Sequence, residues 1–232
     1  MPRVSPRWED LRTVAGFVAG TPNLVLLEFA RRLRQSGTAL RCLDIGCGAA
    51  RNAIPLAELG LRVTGTDLSE PMLQAARDRV LGHQPAVAVD VVLAPMAPLP
   101  FRDRVFDLVV AHGIWNLARS DVEFRAALAE AARVARPGAG LFLFTFSRHT
   151  LPDDAQPDSG ESFVFSSWNG EPQCFLTEEQ IVRALAQAGF DRDEAGPLTE
   201  YNVPHAGRIP TSGPPAIYEG TFTRRSSDQA AH

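Results

Sequence analysis

Apolar and polar positions alternate in two rhythms between residues 40 and 146. Short apolar runs bounded by turn residues read as strands at 40–45, 61–66, 86–93, 106–111 and 140–146. The last of these is almost wholly apolar, which predicts burial on both faces. Helical spacing fills the intervals. Residues 52–59 close on Gly60, and the helix after Ser69 has that serine as N-cap and Pro71 in its first turn. A long Ala-rich helix at 120–135 carries Asp121 and Glu123 near its start and is expected to stop at Pro137-Gly138. Before the first strand, residues 8–19 read as a short helix broken by Gly20-Thr21-Pro22. Residues 23–34 follow with apolar positions 24, 26, 27, 30 and 33 and a basic end.

Strand and helix alternating in this way imply an α/β fold built on a doubly wound, mostly parallel sheet. The later chain is different. Residues 148–162 are polar, with two prolines and several acids, and read as a surface loop. Residues 163–175 read as a hairpin or flap around Asn169-Gly170. Thr177-Glu178-Glu179 opens a helix ending at Gly189, and 217–223 is a terminal strand. The first seven residues are expected to be loose and 224–232 frayed, with Arg224-Arg225 a solvated tail. The whole is one domain, 1–232, with an N-terminal helical lid at 1–38 and a ligand-binding core at 39–147. A substrate flap at 148–176 and a C-terminal helix with strands at 177–225 complete it.

Composition removes several chemistries. All 23 basic residues are arginine, which excludes a P-loop lysine, a Schiff-base lysine and a lysine base. A net charge of −4 argues against a duplex nucleic-acid partner. Cys42, Cys47 and Cys174 are odd in number and lack metal spacing, so neither a disulfide framework nor a metal site is expected. With no apolar leader and no membrane-length run, the expectation is a cytoplasmic protein with no membrane partner, monomeric or a homodimer.

The informative stretch is Leu43-Asp44-Ile45-Gly46-Cys47-Gly48-Ala49-Ala50-Arg51-Asn52, at a strand-to-helix turn. Glycines 46 and 48 let backbone approach a ligand at the carboxyl end of the sheet. Arg51 stands where a dinucleotide fingerprint has its third glycine, and it is expected to face solvent or make a structural ion pair. Asp67 ends the next strand, 19 positions after Gly48, placed to accept ribose hydroxyls. Asp44, ahead of the first glycine, would repel a pyrophosphate and favour a cationic nucleoside. Cys47 reads as a small packing residue with its N–H toward the ligand.

These residues resemble the class I S-adenosylmethionine-dependent methyltransferases. Their glycine loop is similar to residues 43–53 and their ribose acid matches Asp67. Their fourth-strand signature resembles 99–111 and their fifth-strand entry resembles 130–146. Arg51-Asn52 before an apolar helix is also similar to the tellurite-resistance and thiopurine-type branch. The resemblance implies a Rossmann-like sheet of about seven strands with an antiparallel C-terminal strand, and S-adenosyl-L-methionine as cofactor. It implies Asp44, Gly46, Cys47, Gly48, Asn52, Asp67, Leu68, Met96, Ala97, Ala111 and His112 as the cofactor set, with Trp8 folding over as part of a lid. Ala94-Pro95 stand where many members have Gly-Asp, so an adenine-binding carboxylate is absent. His112 is the candidate catalytic base. Trp115, Asn116, Phe146 and Arg148 are the candidate acceptor contacts, joined by Phe165, Trp168 and residues 200–202. The implied reaction is direct in-line methyl transfer to a small molecule, without metal. Two alternatives stand beside it: a silent binding protein on the same fold, and an RNA or protein methyltransferase. An NAD(P)-dependent reductase is disfavoured by Arg51 and by the missing Tyr-x-x-x-Lys lysine.

Overall fold

The computed structural model describes residues 5–35, 40–203 and 214–226. Residues 1–4 and 227–232, expected to be loose and frayed, lie outside the described residues. A 3-10 turn at Pro6–Trp8 leads into α1 (Leu11–Ala19), capped by the Asp10 side chain, and α2 (Leu24–Arg34), capped by Asn23. The core then runs β1 (Arg41–Ile45), α3 (Ala53–Glu58), β2 (Arg62–Asp67), α4 (Glu70–Gly82), β3 (Val89–Leu93), β4 (Phe106–His112), α5 (Asp121–Val134) and β5 (Ala135–Phe146). After it come β6 (Val164–Phe165), β7 (Gln173–Cys174), α6 (Glu178–Ala188), β8 (Phe190–Arg192), β9 (Thr199–Tyr201) and β10 (Ile217–Arg224).

The main sheet has eight strands in the order β3-β2-β1-β4-β5-β10-β8, with β9 also paired to β10. β1 to β5 are parallel, and β10 runs antiparallel to β5, β8 and β9. The count exceeds seven because β8 and β9, three residues each, lack an alternating run and exist by pairing with β10. The chain order reverses between β1 and β4, and ligands of such sheets bind at that crevice.

Strand alternation divides the core. Leu43, Ile45, Val109, Ala111, Leu141 and Leu143 pack with α5, α6 and the β6–β7 hairpin. Cys42, Val63, Leu108, Val110 and Phe142 face the other way, onto α2 and α3. No single helix among the described residues is long and apolar enough to cross a membrane. α1 and α2 meet that test only as a pair bent by 54°, and Leu26, Leu27, Phe29 and Ala30 of α2 are buried.

Two expectations are corrected, and a third segment, the surface loop, gains an internal anchor. α5 stops before Pro137-Gly138, which lie within β5. The carbonyls of its last turn are already taken: Arg224 donates to Ala132 O, the Arg104 N–H to Arg133 O and the Val105 N–H to Val134 O. Arg224 and Arg225 are not a solvated tail. Arg224 also donates to Gly189 O and lies over the Phe190 ring, and Arg225 pairs with Asp191. The long 148–162 loop is pinned from inside, because the Arg148 guanidinium donates to the carbonyls of Leu151, Pro152, Asp153 and Ala155.

Candidate functional site

β1 ends in a loop that needs the left-handed region three times: Gly46 at φ +69°, Gly48 at +52° and Ala50 at +59°. A Cβ on Gly46 would stand 2.7 Å from Ile114 Cδ1, and one on Gly48 3.0 Å from Phe17 Cδ1. Both positions therefore need glycine for backbone and for space. Ala50 carries a left-handed strain of about 1–2 kcal/mol that a glycine would not. The Cys47 N–H donates to Thr66 O at 2.9 Å, so it is not presented to the cleft as expected. The Cys47 thiol lies against Gly65, and burial pushes its pKa up, as befits a packing residue. Asn52 is also turned to structure: its Oδ1 accepts the Asn23 N–H at 2.9 Å and ties α2 to this loop.

Asp67, at the tip of β2, accepts the Gly48 N–H on Oδ2 and the Ser69 N–H on Oδ1, both at 2.9 Å. Its carboxylate fixes the spacing between the glycine loop and α4 while remaining in the cavity wall. Desolvation raises its pKa, and the backbone donors oppose that rise. Asp44 lies buried beneath the loop, and its Oδ2 has no hydrogen-bond partner. Burial raises its pKa to about 7, with Arg51 lowering it and Asp67 raising it further. Arg51 is not at the solvent face. It reaches back over the Phe17 ring, and its Nη2 is 3.3 Å from His112 Nδ1.

A cavity of about 570 Å³ runs along the carboxyl ends of the strands. That is within the range of ligand sites. Its wall follows the strand order: Ala94, Pro95 and Met96 after β3, Asp67 and Leu68 at β2, Gly46 and Gly48 after β1, His112 and Gly113 at β4, and Phe144 of β5. Trp8 and Phe17, 5.7 Å apart edge to face, cover it from the N-terminal side with Met72 of α4. Ile114, which lies against Gly46, and Leu117, Arg119, Glu123, Glu171, Pro172 and Gln173 complete the lining. Ser5 Oγ donates to Glu171 Oε1 at 2.8 Å, joining the N-terminal cover to the hairpin.

His112 stacks on Phe144 with ring centroids 4.3 Å apart and planes 11° off parallel. Its Nε2 is 3.3 Å from Asn23 Nδ2, and Asn23 in turn donates to the buried Glu219. Donors thus face both ring nitrogens. Burial first, and the Arg51 charge second, push the His112 pKa down to about 4. The ring is neutral at physiological pH.

Of the residues expected from sequence, the cavity wall gathers Trp8, Gly46, Gly48, Asp67, Leu68, Met96 and His112. Asp44, Cys47, Asn52, Ala97 and Ala111 stand behind or beside that wall, with Ala111 wholly buried between β1 and β5. The expected acceptor contacts are elsewhere. Trp115 and Asn116 turn inward and are buried, with Trp115 Nε1 and Asn116 Oδ1 unpartnered. Phe146 stacks on Phe175 in a cluster with Leu151, Phe165 and Trp168, and Arg148 is spent on the four loop carbonyls. Neighbours on the same elements replace them: Ile114 and Leu117 for the turn, Phe144 for β5. Residues 171–173 fall within the flap read at 148–176, though none of them was singled out, and Glu123 gave no sequence signal.

A family model described as a methyltransferase domain matches residues 43–144. The ubiquinone/menaquinone biosynthesis C-methyltransferase UbiE of Cupriavidus metallidurans is 34% identical over 182 residues, covering 71% of this chain and 70% of that protein. The malonyl-[acyl-carrier protein] O-methyltransferase of Salmonella typhimurium is 38% identical over 144 residues, 62% of this chain and 51% of that protein, so the match spans about half of that relative. Among solved structures, the Burkholderia thailandensis 1,6-didemethyltoxoflavin-N1-methyltransferase with bound 1,6-didemethyltoxoflavin and S-adenosylhomocysteine superposes with a TM-score of 0.64. It is 20% identical, covering 97% of this chain and 93% of that one, and so speaks to the fold.

Proposed function

The chain belongs to the class I S-adenosylmethionine-dependent methyltransferases, and on that footing we propose that its acceptor is a small molecule, methylated directly within the cavity. One observation carries the reading: a single cavity is lined both by the tip of β2 with the glycine loop and by His112, Ile114, Leu117 and the hairpin residues 171–173, so one space takes a nucleoside and an acceptor beside it.

The residues fit the cofactor. Asp67 retains acceptor capacity for ribose hydroxyls beside its two backbone donors. Gly46 and Gly48 leave the loop free of side chains. The partnerless, buried Oδ2 of Asp44 lies beneath the loop and is stabilised when positive charge approaches. Leu68 and Met96 supply apolar faces at the end where Ala94-Pro95 provides no carboxylate. The bound cofactor supplies a methyl group activated by a sulfonium.

The chain's own residues do the rest by position. Phe17, Trp8 and Ile114 exclude water from the transfer point, and Gly113 and Phe144 bound the line along which the acceptor approaches. His112 is placed there as a neutral wall. With its pKa near 4, and with its one ring lone pair facing either the Arg51 or the Asn23 donor, it is a poor base for a protonated acceptor. The three free, buried cysteines fit a reducing cytoplasm.

Calorimetry with S-adenosylhomocysteine tests the reading. The protein is expected to bind it, and Asp67→Asn, which keeps one acceptor oxygen, is expected to weaken binding about tenfold or more. No binding by the unaltered protein removes the proposal, and wild-type affinity in the variant removes the ribose assignment.

A further inference from the structure

His112, Phe144 and Glu219 stand side by side on three adjacent strands, β4, β5 and β10. Asn23, the N-cap of α2, meets both ends of this row, and its hydrogen bonds leave it no freedom to turn. Its N–H donates to Asn52 Oδ1 at 2.9 Å, and its Oδ1 accepts the Leu26 N–H at 2.9 Å. The cap thus fixes the amide with its oxygen toward the helix and its nitrogen toward the sheet. One hydrogen of Nδ2 goes to the buried Glu219 Oε2, and the other faces His112 Nε2 at 3.3 Å. A neutral imidazole has one ring lone pair and one N–H. With the lone pair on Nε2 committed to Asn23, the proton sits on Nδ1. There it faces a second donor, Arg51 Nη2, 3.3 Å away. Among the described residues the Arg51 guanidinium meets the Phe17 ring and this imidazole, and no carboxylate pairs with it. Arg51 and His112 are both half-buried, and both line the cavity. Two facing donors without an acceptor are unfavourable, and one oxygen about 2.9 Å from each satisfies both. An anionic oxygen does so best, since one donor carries a full charge.

We propose that Asn23 and Glu219 are positioning residues that hold the His112 proton on Nδ1, so that His112 and Arg51 together present two donors to a carboxylate in the cavity. His112 serves there as a donor and not as a base. Glu219 never meets the ligand; it orients the Asn23 amide, and the amide sets the tautomer. The inference rests on the methyltransferase reading, under which the carboxylate belongs either to the amino-acid end of the cofactor or to the acceptor. Asp44 interacts electrostatically with both Arg51 and Asp67, so a carboxylate held here is best accompanied by a cation, as in an amino-acid end.

Two measurements on the full chain test it. Long-range proton–nitrogen NMR spectra at pH 8 read the tautomer, with the His112 signals assigned by their loss in His112→Gln. The proton is expected on Nδ1. The double variant Asn23→Asp, Glu219→Gln exchanges amide and carboxyl while keeping the helix cap and the net charge, and is expected to move the proton to Nε2. Calorimetry then compares S-adenosylhomocysteine with its decarboxylated analogue, 5′-(3-aminopropylthio)-5′-deoxyadenosine. The unaltered protein is expected to prefer S-adenosylhomocysteine about tenfold or more, as befits a charge-assisted pair. Arg51→Met should cut that preference to within about twofold, and the double variant should lower it at least about threefold. If the two nucleosides bind alike, benzoate and benzamide are titrated into the protein saturated with S-adenosylhomocysteine. A preference for benzoate that Arg51→Met erases then places the carboxylate on the acceptor. A proton on Nε2 in the unaltered protein, a tautomer unmoved in the double variant, no carboxylate preference in either pair, or a preference that survives in Arg51→Met overturns the proposal. The wild-type tautomer and Arg51→Met decide the matter if the double variant does not fold. Failure of the unaltered protein to bind either nucleoside strikes the methyltransferase reading instead.

Discussion

The two ends of the cavity are built on different principles. At the β1–β2 end, recognition is made by backbone: left-handed glycines, N–H groups pinned by Asp67, and a helix start capped by Ser69. On the side lined by the hairpin it is made by side chains from scattered places, with Leu117 from one turn, Glu123 from α5 and Pro172 from the hairpin. Backbone recognition is tied to the topology of the sheet and changes little without breaking the fold. Side-chain recognition rides on loops and varies without cost to the scaffold. On the function proposed above, the common cofactor takes the first end and the particular acceptor the second.

A substitution at each end breaks or sharpens this contrast. Gly46→Val places a branched side chain at φ +69° and 2.7 Å from Ile114 Cδ1. It is expected to destabilise the fold by roughly 2–4 kcal/mol and to weaken S-adenosylhomocysteine binding at least about 100-fold. Pro172→Ala, at the other end, is expected to leave that affinity within about twofold. Urea unfolding and calorimetry read both, and comparable losses from the two variants would mean the ends are not separable.

The centre between the ends gives a second, smaller effect. Asp44 is raised from 3.8 to about 7, so over that interval the folded chain holds a proton the unfolded chain has released. Its contribution favours folding at low pH and is lost as pH rises toward 7. His112 is lowered from 6.5 to about 4, so the unfolded chain takes up the proton first. Its contribution is intact above pH 6.5 and is lost as pH falls toward 4. The two slopes oppose each other, each at most about 1.4 kcal/mol per pH unit. Measured without ligand from pH 4.5 to 7.5, Asp44→Asn should gain stability relative to wild type as pH rises, and His112→Gln should gain it as pH falls. The same trend in both variants would mean that the buried charges around Arg51 are misassigned.

The backbone end was legible in sequence because its requirements are local. Two glycines, a carboxylate before them and another at the next strand tip lie within 24 positions and mark both fold and cofactor. A doubly wound, mostly parallel sheet followed from the alternation of elements. The far end was not legible, because which face of a short turn meets a cavity depends on packing. Trp115 and Asn116 carried the attractive chemistry, yet the tryptophan fills the core against Phe124, and Ile114 and Leu117 take the wall. Arg148 looked like a substrate cation, but four loop carbonyls outcompete solvent for its donors. Arg51 looked like a surface residue because the ring it lies over, Phe17, is 34 positions away and brought near only by α1.

The smallest effect concerns the seam where the two ends meet. The hydrogen bond from Ser5 to Glu171 joins the cover over the glycine loop to the hairpin over the acceptor end, and it is exposed. An exposed bond of this kind contributes about 0.5 kcal/mol, so Ser5→Ala should barely change urea stability. Its consequence is kinetic: with the tether gone, the cover bearing Trp8 and Phe17 opens more often, and S-adenosylhomocysteine should leave about two- to threefold faster at nearly unchanged association rate. Stopped-flow tryptophan fluorescence measures this directly. Glu171→Gln should produce a similar acceleration, and the double variant should add nothing to it, since both changes cut one bond. Additive accelerations would show that Ser5 and Glu171 act separately, and that the two halves of the cavity open independently of each other.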